Sequence, residues 1–121
     1  MIDTNVLGTA LSIRSALGQF RKHNSGHFIL TSSVAGRRTL PGSLYSATKH
    51  AVTAMGEALR AEVADTDIKV TLIEPGMVDT PFFDNRPTGA LTADDVARAV
   101  IYAVSQPPHV DVSELLIRPA G

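Results

Sequence analysis

The sequence contains no cysteine among its 121 residues. Disulfides, thiolate metal sites and a cysteine nucleophile are therefore excluded, and the chain must fold by burial of apolar side chains alone. An excess of one charge is also lacking, because eleven Lys and Arg nearly balance twelve Asp and Glu and leave a formal net charge of -1. That balance provides no general attraction to nucleic acid or to an anionic membrane, so we expect neither as a partner.

Long hydrophobic runs are missing as well. The apolar stretches are a few residues long, whereas a membrane span needs roughly 20 apolar residues. The chain starts without a basic region that would indicate a targeting segment, and Arg14 and Arg21 interrupt the apolar residues that follow. With 44% hydrophobic and 19% charged residues, the composition is typical of a globular chain. We therefore predict a soluble protein of one domain over 1–121, compatible with the cytoplasm.

Hydrophobic periodicity predicts three helices and three strands in alternation. In chain order these are helix 2–22, strand 27–33, helix 44–64, strand 68–73, a helix that begins after Thr92 and ends before Pro107, and strand 112–117. Segments rich in Gly and Pro predict loops at 34–43 and 77–91. Two consecutive strand–helix–strand units predict right-handed crossovers and an α/β fold, with a parallel sheet of about three strands and helices on both faces.

Tyr45 and Lys49 are the first residues that indicate chemistry. They lie four apart at the start of the second predicted helix, so both project from one face. A phenol, with a pKa of about 10, is a poor acid–base group at neutral pH, but a nearby ammonium favours its ionised form. Ser33 ends the preceding strand, where ligands of parallel α/β sheets bind. The spacing alone leaves another interpretation open, because such a pair is also found as a half-buried Tyr beside an extended Lys, and a terminal serine as a loop cap.

Four motifs carry a resemblance to one family. The segments S-S-V-A-G at 32–36 and P-G-S-L-Y-S-A-T-K at 41–49 strongly resemble the active site of the short-chain dehydrogenase/reductase family, which pairs a serine with Y-x-x-x-K. The segment N-V-L-G at 5–8 is similar to the family's N-x-x-G motif, and E-P-G-M-V-D-T at 74–80 to its P-G-x-V-x-T segment. E-L-L-I-R-P at 114–119 resembles its last strand. The resemblance implies a Rossmann-like, doubly wound sheet and hydride transfer between a nicotinamide and an alcohol or carbonyl substrate.

The resemblance also implies catalytic roles. Tyr45 would be the acid–base group that protonates the carbonyl oxygen during reduction, and Lys49 would lower the pKa of Tyr45 and bind the nicotinamide ribose. Ser33 would hold the substrate oxygen, because the family's serine precedes x-x-G, a frame that Ser33 fits and Ser32 does not. Asn5 would hold a water that links Lys49 to solvent.

A second set of residues would contact the cofactor, NAD or NADP. By resemblance these residues are Tyr45, Lys49, Pro75, Gly76, Val78 and Thr80. An alternative stays open for the last two, since Val78 can simply pack and Thr80, before Pro81, can simply shape a turn. The four histidines lack metal-ligand spacing, and we expect no metal site.

The family's glycine-rich phosphate loop, G-x-x-x-G-x-G, has no counterpart in this sequence. The residue that discriminates NAD from NADP and the N-A-G segment are missing too. The chain therefore resembles the carboxyl-terminal half of the family's fold. Strand 27–33 would lack one neighbour and form an exposed edge. We expect marginal stability and weak dinucleotide binding by this chain alone.

Two functions are therefore compared. The first is an NAD(P)-dependent oxidoreductase that acts on a small alcohol or carbonyl compound. The alternative is a truncated, non-catalytic fragment that acts at most as a self-association module. Members of the family form oligomers through the helices that correspond to 7–20 and 44–64, so a homo-oligomer is expected through these helices in either case.

Overall fold

The computed structural model describes residues 6–36, 44–76 and 89–120. Helices and strands alternate in it as α1 (Gly8–His23), β1 (Ser25–Thr31), α2 (Leu44–Glu62), β2 (Asp67–Pro75), α3 (Ala93–Val104) and β3 (Glu114–Ile117). A short 3-10 turn at Val34–Gly36 follows β1. The predicted order of elements is thus confirmed. In the stretches that the structure describes, every helix is too short or too polar to cross a membrane.

The three strands form a parallel sheet in the order β1-β2-β3. Phe28 of β1 is level with Val70 of β2, and Leu72 of β2 is level with Glu114 of β3. The central strand is almost wholly buried, and Val70 and Leu72 are both 0% exposed. Burial of this kind is typical of a parallel strand covered on both faces. The predicted α/β class with three parallel strands is confirmed.

The main apolar core lies between the sheet and the first two helices. Its buried members are Phe28, Leu59, Val63, Ile68 and Val70. Helix α1 adds partly buried side chains at Ile13, Ala16, Leu17 and Phe20. The Phe20 and Phe28 rings meet edge to face, with their centroids 4.8 Å apart, a geometry that aromatic quadrupoles favour. Helices α1 and α2 therefore cover the same face of the sheet.

The opposite face of β2 is covered by α3 and the residues after it. Lys69 Nζ donates to the Pro107 carbonyl at 3.0 Å, and Thr71 Oγ1 donates to the Val112 carbonyl at 2.7 Å. Helices thus lie on both faces, as predicted. However, the strand order runs in one direction while α2 and α3 lie on opposite faces, so the two crossovers have opposite hands. The prediction that both are right-handed is therefore wrong for one of them, because α1 and α2 already occupy one face and α3 buries the other.

A polar chain crosses the sheet on this second face. Thr71 gives its only proton to the Val112 carbonyl, so it accepts the 2.7 Å hydrogen bond from His27 Nε2, which must carry a proton. Burial lowers the pKa of His27, and Lys69 adds to this effect while Asp111 opposes it. The bonds connect β1, β2 and the entry to β3.

The start of α3 follows the prediction closely. Thr92 Oγ1 accepts a hydrogen bond from the Asp95 amide at 3.1 Å, and the Thr92 amide donates to Asp95 Oδ2 at 2.8 Å. This reciprocal pair is a capping box, with the shorter Asp in place of the usual Glu. The backbone hydrogen bond from Thr92, the largest cause, lowers the pKa of the Asp95 carboxyl.

Apart from the start of the first helix, each element end lies within two residues of its predicted position. β2 continues beyond position 73 as far as Pro75. β3 begins at Glu114 rather than 112, because the Val112 carbonyl binds the Thr71 side chain instead of a main-chain amide of β2. Residues 1–5, 37–43 and 77–88, which include parts of the first predicted helix and of both predicted loops, lie outside the described residues.

One edge of the sheet is open. Within 6–36, 44–76 and 89–120, β1 pairs with β2 alone. A groove of about 570 Å³ runs along this edge between α1 and β1, lined by residues such as Thr9, Ser12 and Ile29. The expectation that this strand lacks one neighbour is confirmed for the part of the chain described.

Candidate active site

The carboxyl ends of β1 and β2 lie side by side, because the strands are parallel and in register. The Ser32 amide, just after β1, donates to the Ile73 carbonyl at 2.8 Å. Pro75 is the last residue of β2, and the Gly76 amide donates to the Ile117 carbonyl at 2.7 Å. Three strand ends therefore meet at one edge, where ligands bind in open α/β sheets.

Helix α2 begins at this edge and carries Tyr45 and Lys49 in its first turns. Lys49 Nζ lies 5.6 Å from the centroid of the Tyr45 ring. The same nitrogen donates to the Thr31 carbonyl, the last of β1, at 3.4 Å. Tyr45 is 42% exposed and therefore accessible to a ligand. The structure brings the phenol and the ammonium together beside the end of β1.

The electrostatics of this pair depend on the burial of Lys49. Burial lowers the pKa of the Lys49 ammonium, because a charge loses hydration when protein covers it. A less hydrated ammonium interacts more strongly with a nearby anion than one in open solvent does. An ammonium has three N–H donors, and the Thr31 carbonyl takes one of them through a long bond. Lys49 therefore keeps N–H donors with which to bind hydroxyl groups of a ligand.

Ser33 stands in the turn that follows β1 and is half-buried. Its carbonyl accepts a hydrogen bond from the Gly36 amide at 2.8 Å, which closes the short 3-10 turn. The turn therefore keeps Ser33 at the strand end, two residues beyond the carbonyl that contacts Lys49 Nζ.

A buried pair of hydroxyls next to Lys49, Ser32 and Thr53, was not predicted from the sequence. Ser32 Oγ donates to the Lys49 carbonyl at 3.0 Å and lies 2.7 Å from Thr53 Oγ1. Both side chains are buried, and Thr53 received no role from the sequence. The only available signal was the adjacent Ser32-Ser33 pair, since contacts between residues 21 positions apart leave no local pattern.

Three predicted site residues, Asn5, Val78 and Thr80, lie outside the described residues. Their roles, like those of Ser33, Tyr45, Lys49, Pro75 and Gly76, stay predictions. Across the described part of the chain, no group of three or more His, Cys, Asp or Glu side chains could hold a metal ion.

Comparison with known proteins assigns the family. The family model for short chain dehydrogenases matches residues 1–90. The chain is 44% identical to an uncharacterized oxidoreductase of Staphylococcus epidermidis, over 98% of this chain and 54% of that protein. A second uncharacterized oxidoreductase, from Staphylococcus saprophyticus, is 43% identical over 98% of this chain and 53% of its own length.

Solved structures agree with this assignment. Serine dehydrogenase from Escherichia coli superposes with a TM-score of 0.87 at 36% identity, over 98% of this chain and 51% of that one. The closed form of serine dehydrogenase complexed with NADP+ gives a TM-score of 0.91 at 34% identity, over 98% and 54%. These matches confirm the Rossmann-like fold. The chain spans about half the length of the relatives it matches. With most of its residues matched by the family model, the chain belongs to the short-chain dehydrogenase family.

Proposed function

We propose that this chain carries the catalytic half of an NAD(P)-dependent oxidoreductase, with Tyr45 as the acid–base group. The observation that supports this most is the position of the Lys49 ammonium, 5.6 Å from the Tyr45 ring and 3.4 Å from the last carbonyl of β1. Family membership supplies the reaction class, since the relatives are oxidoreductases and one solved structure is complexed with NADP+.

The donors at the sheet edge suit the nicotinamide side of a dinucleotide. Lys49 has N–H groups beyond the one on Thr31 with which to bind ribose hydroxyls. Pro75 and Gly76 end β2 at the same edge, and we propose that Val78 and Thr80 extend the contact surface to the carboxamide and phosphate region. The sequence holds no glycine-rich phosphate loop, so these residues would bind the nicotinamide side alone. Either NAD or NADP satisfies these contacts.

The proposed reaction requires one proton transfer by the protein. A bound nicotinamide supplies the hydride in reduction and accepts it in oxidation. The Ser33 hydroxyl donates to the substrate oxygen and fixes it beside Tyr45. The Tyr45 phenol gives its proton to that oxygen in reduction and takes it back in oxidation, while the Lys49 ammonium stabilises the phenolate. We propose that Asn5 holds a water molecule, and that this water passes a proton from solvent to Lys49. A positioned acid–base group contributes about 10²- to 10⁴-fold to the rate.

The substrate that we propose is a small alcohol or its carbonyl product. Serine is the first compound to test, because the chain is 36% identical to a serine dehydrogenase. We also propose that the protein acts in the cytoplasm. Self-association would use helices α1 and α2, whose Leu11 and Leu44 side chains are 52% and 57% exposed. The fragment alternative rests on the same exposed surface and on the half-length match to the relatives.

The test compares two tyrosines. The chain contains only Tyr45 and Tyr102, and Tyr102 is 55% exposed on α3, far along the chain from the site. Wild type, Tyr45→Phe and Tyr102→Phe are assayed for NADP+- and NAD+-dependent oxidation of serine and for carbonyl reduction. Wild type and Tyr102→Phe should react equally, and Tyr45→Phe should be at least about 100-fold slower.

A chimera separates the site from the isolated chain. In it, residues 1–121 replace the matching segment of the E. coli serine dehydrogenase, and the wild-type sequence and the same two tyrosine variants are assayed. A loss on Tyr45→Phe that occurs only in the chimera would support the catalytic roles and show that the isolated chain is inactive. Equal background rates for all variants in both settings would refute the proposed function. Sedimentation of the chain then tests the self-association alternative.

A further inference from the structure

We infer that Ser32 and Thr53 are positioning residues that clamp Lys49 against the end of β1 and so fix the catalytic helix relative to Ser33. The inference rests on the proposed function for its catalytic meaning, but its physical content is a statement about this chain's own contacts.

Two consecutive residues, Thr31 and Ser32, form hydrogen bonds with the side chain and the backbone of Lys49. Its side-chain ammonium donates to the Thr31 carbonyl at 3.4 Å, and its backbone carbonyl accepts from Ser32 Oγ at 3.0 Å. The next residue along the chain is Ser33. These two hydrogen bonds therefore fix the distance from Ser33 to the ammonium directly, although Ser33 and Lys49 are 16 positions apart in the sequence.

The proton directions in this cluster are determined. Ser32 has one hydroxyl proton and gives it to the Lys49 carbonyl, which can only accept. Thr53 must then donate to Ser32 Oγ across their 2.7 Å contact. Thr53 lies one helical turn after Lys49, so both bonds act on the same turn of α2. Ser32 and Thr53 are 2% and 3% exposed, so water cannot readily replace either bond.

Gly36 packs directly against Ser32, Thr53 and the Lys49 carbonyl. A Cβ atom added there would lie within 3.0 Å of Ser32 Oγ, Thr53 Oγ1 and the Lys49 carbonyl. Glycine thus lets the turn after Ser33 approach the clamp directly, and the Gly36 amide bonds the Ser33 carbonyl at 2.8 Å. The turn that carries Ser33 and the helix that carries Lys49 are packed onto the same two hydroxyls.

The test follows the Lys49 ammonium by NMR, using the ¹³Cε shift as a function of pH. Burial lowers the pKa of Lys49 in the native chain. Ser32→Ala and Thr53→Val should release the ammonium to solvent and move its titration midpoint up toward the ordinary lysine value of about 10.4. Thr53→Ser keeps the hydroxyl and should restore the wild-type midpoint.

The matched control is Thr71→Val, which also removes a fully buried hydroxyl with two hydrogen bonds but lies on the other face of the sheet. It should lower stability and leave the Lys49 midpoint unchanged. The inference is overturned if the clamp variants leave the midpoint at its wild-type value, or if Thr71→Val moves it equally.

A wild-type measurement covers the case in which a variant fails to fold. The hydroxyl protons of Ser32 and Thr53 should exchange slowly and show nuclear Overhauser contacts to the Gly36 α-protons. Rapid exchange without such contacts would contradict the clamp. None of these readouts needs turnover. Background rates in both the isolated chain and the chimera, with an intact clamp, would therefore refute the proposed function alone, whereas activity without the clamp signals would refute this inference alone.

Discussion

Thr71→Val tests the polar chain that connects the three strands. The Thr71 side chain is 0% exposed, and its hydroxyl accepts from His27 Nε2 and donates to the Val112 carbonyl, each at 2.7 Å. Valine has nearly the same shape, so the substitution removes two hydrogen bonds without leaving a large cavity. Each is worth about 1 kcal/mol net, and we expect the free energy of unfolding to fall by about 2 kcal/mol.

The same chain predicts sensitivity to acid. Burial is the largest cause that lowers the pKa of His27 in the folded state. Between that lowered value and the unfolded value of about 6.5, the unfolded chain binds more protons than the folded one, so stability falls as the pH drops through this window. His27→Gln removes the titration and should flatten this part of the profile.

The assay is urea unfolding followed by far-UV circular dichroism, since the chain has no tryptophan to report by fluorescence. Unfolding curves for wild type, Thr71→Val and His27→Gln are recorded from pH 5 to 7. A Thr71→Val stability within about 0.5 kcal/mol of wild type would refute the hydrogen-bond argument. Identical slopes for wild type and His27→Gln would refute the account of the histidine.

Three further substitutions probe the core, a helix cap and the site. Leu59→Ala should lower the free energy of unfolding by about 3 kcal/mol in urea, because Leu59 is 4% exposed in the main core. Thr92→Ala should cost about 1 kcal/mol in the same assay, because it removes the hydroxyl that accepts from the Asp95 amide. Lys49→Met should raise stability in urea, because it removes a partly buried charge, while it abolishes the proposed activity.

The order of elements was predictable because each depends on local pattern. Thr92 and the acidic residues after it specify a helix start within four positions, and apolar Ile68, Val70 and Leu72 recur at alternate positions of the central strand. Strand ends were less predictable. β3 starts late because the Val112 carbonyl turns toward the Thr71 side chain, 41 positions away, and no local pattern encodes such a contact.

The crossover that differs from the right-handed rule illustrates the same limit. The side of the sheet that α3 takes depends on α1 and α2 already covering the other face, as the contacts of Phe28 with Leu59 and Phe20 show. This is a property of the assembled layers. Element order alone, combined with a general rule on handedness, could not predict it.

The motif residues of the candidate site could be identified from the sequence. The buried hydroxyl pair that packs against them could not. The Tyr45–Lys49 spacing and Ser33 were visible in the sequence because short motifs carry them. The Ser32–Thr53 pair depends on a 2.7 Å contact between residues 21 positions apart. Asn5, Val78 and Thr80 rest on resemblance alone.

The central claim is that Tyr45 transfers the proton that accompanies hydride transfer at this sheet edge. The most direct measurement follows deuterium from C4-deuterated NADPH into a carbonyl substrate by mass spectrometry, with the E. coli chimera that contains residues 1–121. The wild-type and Tyr102→Phe proteins should label the alcohol product at equal rates, and Tyr45→Phe should be slower by about 100-fold or more. Labelling by Tyr45→Phe at the wild-type rate would contradict the account.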